Sequence, residues 1–172
     1  MSARRRDFLV EIGTEELPPK SLLTLAAAFA DGIAKGLSDA GLGYATVERF
    51  ATPRRLAVRV RRLAERQPDR ALERRGPPLK AAFDAQGAPT QAGLAFAKSC
   101  GVDVSALERV ETPKGVWLVH RGIEHGAATI ELLPRIVQTS LDGLPIARRM
   151  RWGAGAAEFV RPVHWVLMLF GR

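Results

Sequence analysis

Arg55-Leu56-Ala57-Val58-Arg59-Val60-Arg61 is the stretch that decides the fold class. Successive residues of an extended chain point to opposite faces, so Leu56, Val58 and Val60 share one side and Arg55, Arg59 and Arg61 the other. A strand with one apolar face and one arginine face is half-buried, and half-buried strands belong to antiparallel sheets. The strand is read from Leu56 to Leu63. Val47 to Phe50 reads as its neighbour across a turn at Thr52-Pro53-Arg54.

Outward from this pair, Phe8-Leu9-Val10-Glu11-Ile12 reads as a first strand ended by Gly13. Pro18 and Pro19 suit a first helical turn, where a missing N–H is no loss. Leu22, Leu25, Phe29, Ile33 and Leu37 then recur at helical spacing, and Gly41 can supply a left-handed stop. Downstream, Arg54 to Arg75 holds nine arginines against Glu65, Asp69 and Glu73, the most basic segment of the chain. Arg75-Gly76-Pro77-Pro78 is read as a chain break, and two lobes divided near residues 66–90 are expected within a single region, 1–172. Pro89 and Thr90 open a short helix carrying Leu94 and Phe96, closed by Gly101. Leu107 to Thr112 and Val116 to Arg121 flank Pro113-Lys114-Gly115, a hairpin signal. Thr129 is placed to cap a helix reaching about Leu141, with Leu133, Ile136, Val137 and Leu141 inward. Pro134 should kink or split it. Strands and helices mix without a βαβ rhythm, so the expected fold is α+β, a mostly antiparallel sheet with hairpins packed against several helices.

The chain has 172 residues, 47% hydrophobic and 26% charged, ample for a core. Lys and Arg number 26 against 18 Asp and Glu, a net charge of +8. Much of the excess is arginine, which pairs with phosphate in a bidentate, planar fashion, and nucleic acid is the natural anionic partner. The competing reading is an arginine-writing, GC-rich genome with solvated, ion-paired faces. Cys100 is the single cysteine, so no intrachain disulfide forms; a structural, buried thiol is expected beside Gly101. No segment is long and apolar enough for a signal peptide core or a membrane span.

Glu11, Glu15 and Glu16 could form an acid/base cluster, but a simpler role for Glu15 and Glu16 is at the positive N-terminus of the following helix. His120, His125 and His164 lack the spacing of a metal site. Gly13-Thr14-Glu15-Glu16 has neither the glycine spacing nor the lysine of a phosphate loop. Arginines and indoles crowd into Arg148-Arg149-Met150-Arg151-Trp152 and Arg161-Pro162-Val163-His164-Trp165. Trp152 and Trp165 are either core residues under a guanidinium or stacking and interface residues. Val166-Leu167-Met168-Leu169-Phe170 reads as a buried strand. A buried strand at the end of a chain suggests an N-terminal piece of something longer, whose sheet continues.

An ordered set of motifs adds to this. Phe8-Leu9-Val10-Glu11-Ile12-Gly13-Thr14-Glu15-Glu16-Leu17-Pro18-Pro19 is followed by Thr52-Pro53-Arg54-Arg55-Leu56 and Arg75-Gly76-Pro77. Lys114-Gly115-Val116-Trp117-Leu118, Met150-Arg151-Trp152 and Phe159-Val160-Arg161-Pro162 complete the series. Together they resemble the N-terminal region of the β subunit of bacterial tetrameric glycyl-tRNA synthetase, over nearly the whole chain. The sequence departs from that family's usual pattern at Ala147-Arg148, where Pro and Lys are common, and at Val116, where Glu is common. The resemblance implies an α2β2 ligase that attaches glycine to its tRNA, with ATP and Mg2+ at the α-subunit site and no cofactor in this chain. It implies a body related to tRNA-tail-adding enzymes, a cytoplasmic location, and no catalytic residue in this region. The expected tRNA-phosphate contacts are Arg54, Arg55, Arg59, Arg61, Arg149, Arg151 and Arg161, positioning the RNA without reading bases. The alternative is an assembly-only module that contacts the α subunit or the rest of β and never touches RNA.

Overall fold

The computed structural model describes residues 4–171. In chain order its elements are β1 (Arg5–Thr14), α1 (Pro19–Asp39), β2 (Thr46–Thr52), β3 (Arg55–Ala64), β4 (Arg70–Pro78), α2 (Leu79–Ala82), α3 (Gln91–Cys100), β5 (Glu108–Thr112), β6 (Gly115–Glu124), α4 (Thr129–Asp142), β7 (Met150–Arg151), β8 (Glu158–Phe159) and β9 (Val163–Phe170). Every strand pairing among them is antiparallel, and the α+β class holds. The chain forms two compact units. One is built from the chain up to Pro68 and from Gly126 onward, the other from Asp69–His125.

The first unit holds a four-stranded sheet in the order β2-β3-β1-β9. Leu56, Val58 and Val60 on β3 and Phe8, Val10 and Ile12 on β1 are all buried on one face of it. Against that face pack Leu25, Phe29, Ile33 and Leu37 of α1 and Leu133, Ile136 and Val137 of α4. Burying each such side chain contributes roughly 1.5–3 kcal/mol. The alternation seen in residues 55–61 is therefore the division between core and open face. Helix α1 begins at Pro19 and ends as expected: Gly41 takes φ 67°, and the Leu42 N–H donates to the Leu37 carbonyl at 2.9 Å. Helices α1 and α4 touch where α1 has no side chains. A Cβ at Gly36 would stand 2.7 Å from Ile136 Cγ2, and one at Gly32 would overlap Ser140, whose hydroxyl donates to the Phe29 carbonyl.

The second unit is a three-stranded sheet, β4-β6-β5, with a small core of Ala82, Ala97, Leu107 and Leu118. Thr90 caps α3 through its side chain, accepting from the Gly93 N–H, and Gly101 closes the helix at φ 71°. The β5–β6 hairpin turns at Pro113-Lys114, as its sequence suggests.

Five expectations are corrected. Arg75-Gly76-Pro77-Pro78 does not break the chain but lies inside β4, with a register shift between Arg75 and Pro78; β4 is an edge strand, where proline's missing N–H is tolerated. Thr129 is the first residue of α4 rather than its cap; it is fully buried and its hydroxyl donates to the Ala64 carbonyl at 2.6 Å. Pro134 does not split α4, which runs unbroken to Asp142. Cys100 is only half-buried. The run Val166–Phe170 is a strand, but β9 is the outer strand of its sheet, and Val166 to Leu169 are exposed. Apolar composition marks a strand that is suited to burial, not one that is buried.

Candidate functional site

Arg55, Arg59 and Arg61 do project from the open face of the first sheet, and each meets a carboxylate on a neighbouring strand. Arg55 Nη1 lies 3.7 Å from Glu11, Arg59 Nη2 2.8 Å from Asp7, and Arg61 Nη1 3.8 Å from Glu48. Three arginines thus stand opposite three acids, in half-exposed pairs of the kind worth little individually. Asp7 sits at a bulge, where Arg62 takes φ 51° and donates its backbone N–H to Asp7 Oδ1 at 3.0 Å. That backbone bond, then the Arg59 side-chain bond, holds the Asp7 carboxyl below its ordinary value. The Arg59 guanidinium is raised in turn, chiefly by its bond to Asp7.

At one end of this face, three stretches distant in sequence converge. Residues 13–17, 52–55 and 161–165 are tied by backbone bonds from Thr14 N to Arg54 O, Leu17 N to Pro53 O and Glu15 N to Pro162 O. They line a cavity of about 510 Å³ bordered by Thr14, Thr52, Arg54, Arg55, His164 and Trp165. Arg54 Nη2 is 3.5 Å from Glu16, and His164 Nε2 is 2.8 Å from Glu15 Oε1. Arg161 Nε donates to the Glu16 carbonyl at 3.1 Å. Glu15 and Glu16 therefore face arginine and histidine; α1 has no acidic residue in its first turn. The Glu15–His164 pair joins residues 149 apart in sequence and depends on β1 lying beside β9. Nothing in the local sequence around either residue signals it.

Trp165 is 41% exposed and so is not a core residue. Its indole occupies the space a side chain at Gly13 would fill, and the Arg55 guanidinium lies 5.3 Å from its centroid. Trp152 is half-buried and packs on the main core. Arg149 donates to the Asp142 carbonyl at the C-terminal end of α4, where a cation is favoured by the helix dipole. Arg148 and Arg151 are exposed, and neither forms an ion pair among the described residues. The seven singled-out arginines thus form three groups: Arg54 with Arg161, the β3 trio, and Arg149 with Arg151.

In the second unit, Arg75 stacks 4.1 Å over the Trp117 ring, and Arg121 bridges Glu73 and Glu108 at 2.9 and 2.8 Å. His125 pairs with Asp69, so the three histidines lie in three different settings. Among the described residues, no three His, Cys, Asp or Glu side chains converge as a metal site.

A family model described as the glycyl-tRNA synthetase beta subunit matches residues 8–172. The chain belongs to the glycyl-tRNA synthetase β-subunit family. The glycine–tRNA ligase beta subunit of Marinobacter nauticus is 57% identical over 167 residues, covering 97% of this chain and 24% of that protein. The corresponding subunit of Hahella chejuensis is 60% identical over 167 residues with the same coverage. That of Histophilus somni is 54% identical over 166 residues, covering 96% of this chain and 24% of its own. This member of the β-subunit family therefore spans about a quarter of the length of the relatives it matches. The matched segment takes in the whole second unit, the first unit from Phe8 onward, and all seven singled-out arginines.

Proposed function

We propose that this chain is the N-terminal region of the β subunit of a cytoplasmic α2β2 glycine–tRNA ligase. In this reading it supports ATP-dependent attachment of glycine by holding tRNA through phosphate contacts and by joining the assembly. The observation that carries the RNA contact is where the charge lies. Residues 69–125 hold eight Lys and Arg against seven Asp and Glu, leaving 18 against 11 in the rest of the chain. The cationic excess thus belongs almost wholly to the first unit. Within it, the β3 arginines are neutralised by Asp7, Glu11 and Glu48, while Arg151 is not. Availability therefore ranks Arg151 and Arg149 ahead of Arg54 and Arg161, and these ahead of Arg55, Arg59 and Arg61. In this reading ATP and Mg2+ belong to the α-subunit site of the holoenzyme.

The test is binding of labelled glycine tRNA across a salt series. The expected affinity falls steeply with salt, and Arg151→Ala lowers the log–log slope by about one unit, equally for all tRNAs. Salt-independent, negligible binding would favour the assembly-only reading, which the exposed apolar residues of β9 support. A variant that lost only its preference for glycine tRNA would contradict phosphate positioning.

A further inference from the structure

The two edges of the first sheet are built differently. The outer face of β2 is guarded: Thr46, Glu48, Arg49 and Thr52 put charge and hydroxyls along it. Such charges are how natural edge strands discourage pairing with another chain. Strand β9 has no such guard. From Trp165 to Phe170 it carries no charge, proline or glycine, and it pairs with β1 without interruption from Phe170 to Trp165.

Its side chains are bare on both sides. Val166 and Met168 stand opposite Ile12 and Val10, on the face that bears the helices, and are 52% and 36% exposed. Trp165, Leu167 and Leu169 stand opposite Gly13, Glu11 and Leu9 on the other face, at 41%, 37% and 49%. Of the eleven exposed large hydrophobics among the described residues, five lie on this one strand; the rest are scattered. On the open face Leu169 also borders a trough of about 550 Å³, where Leu9, Phe50 and Ala57 lie beside the paired Asp7, Glu11, Arg55 and Arg59. A strand apolar on both faces belongs to the interior of a sheet with both faces covered.

A second copy of the chain would not meet that need. Pairing β9 with another β9 satisfies backbone groups but sets two bare strands side by side, doubling the apolar patch. What is required is a further strand together with chain to cover both faces. The relatives supply the length, since the region matched here is 24% of theirs. We propose that the outer edge of β9 receives a strand from the remainder of a full-length β subunit. The sheet order then becomes β2-β3-β1-β9 followed by that strand. Main-chain hydrogen bonds along residues 163–170 provide the attachment, and alternating apolar side chains on the incoming segment provide the fit. This holds whether or not the arginines touch RNA.

Amide hydrogen exchange, measured on a β subunit of the relatives' full length that carries this sequence, tests the idea without any substitution. The alternate amides of β2 that point away from β3 serve as the internal reference for a free edge. The β9 amides that point away from β1 should exchange at least about 100-fold more slowly than these, with no α subunit present and at every protein concentration. Equal exchange at the two edges overturns the proposal. So does protection that appears only when α subunit is added, or only as the β subunit dimerises, since either assigns the edge to another chain.

Discussion

Thr129→Asp separates two accounts of the start of α4 that differ sharply in energy. Were Thr129 an N-cap, Asp would serve there as well as Thr, within a few tenths of a kcal/mol. In the structure Thr129 is 0% exposed, and its hydroxyl donates to the Ala64 carbonyl at 2.6 Å, joining the end of β3 to the start of α4. Asp would set a carboxylate, which only accepts, against a carbonyl, which only accepts. The lost bond costs about 1–2 kcal/mol, and the buried unpaired charge raises the total to about 3 kcal/mol or more. The helix dipole offsets at most about 1 kcal/mol of this. Thr129→Val keeps the shape and forfeits only the bond, so it should cost about 1–2 kcal/mol. The assay is urea unfolding in a Trp117→Phe background, so that indole emission reports only Trp152 and Trp165 of the first unit. Because burial raises the carboxyl's folded pKa, the deficit relative to wild type should shrink as pH falls toward about 4; the protonated acid can donate to Ala64. A Thr129→Asp variant as stable as wild type at pH 7 would refute the buried bond as the fastening.

Asp7→Asn should lower stability by the same amount throughout neutral pH. Asp7's folded value is depressed, so its contribution is present above the ordinary carboxylate range and lost as pH falls through the folded value. The gap from wild type should therefore close in acid, which denaturant midpoints at a series of pH values would show. The same change frees Arg59 and should steepen the salt dependence of tRNA binding by about one unit, if phosphate reaches this face. Gly13→Val should drive the Trp165 indole out of its place beside β1; a red-shifted emission with the fold retained is the expected signature, and unchanged emission would contradict the packing.

The alternation of residues 55–61 and the helical spacing from Leu22 to Leu37 carried the first unit, because both patterns record which face meets the core. Turn chemistry carried the caps, with Gly41 and Gly101 both left-handed. The failures share a cause. Local pattern cannot report sheet position, so β9 read as buried although it lies at the edge of its sheet with Val166 to Leu169 exposed. Pro77 and Pro78 read as a break because their tolerance depends on β4 being an edge. The arginines were legible as a face, but their partners were not: Asp7 lies 52 residues from Arg59, and only the β1–β3 register brings them together. The same holds for Glu15 and His164.

The chain leaves and re-enters the first unit through two adjacent segments. Arg66 bridges Ala128, the Gln67 N–H donates to the Ala127 carbonyl at 3.0 Å, and the Ala127 N–H donates to Gln67 Oε1 at 3.1 Å. Gln67 Nε2 reaches the Ala40 carbonyl, and a Cβ at Gly126 would overlap the Gln67 backbone. Because these two segments are laced together, residues 69–125 form a loop closed at its own base. Tension applied along the polypeptide would be borne by the lacing and the first sheet, and would reach the inserted segment only after those bonds had parted. The insert is mechanically shielded, and a short turn joining residues 68 and 126 should leave the remaining sheet and both of its helices standing.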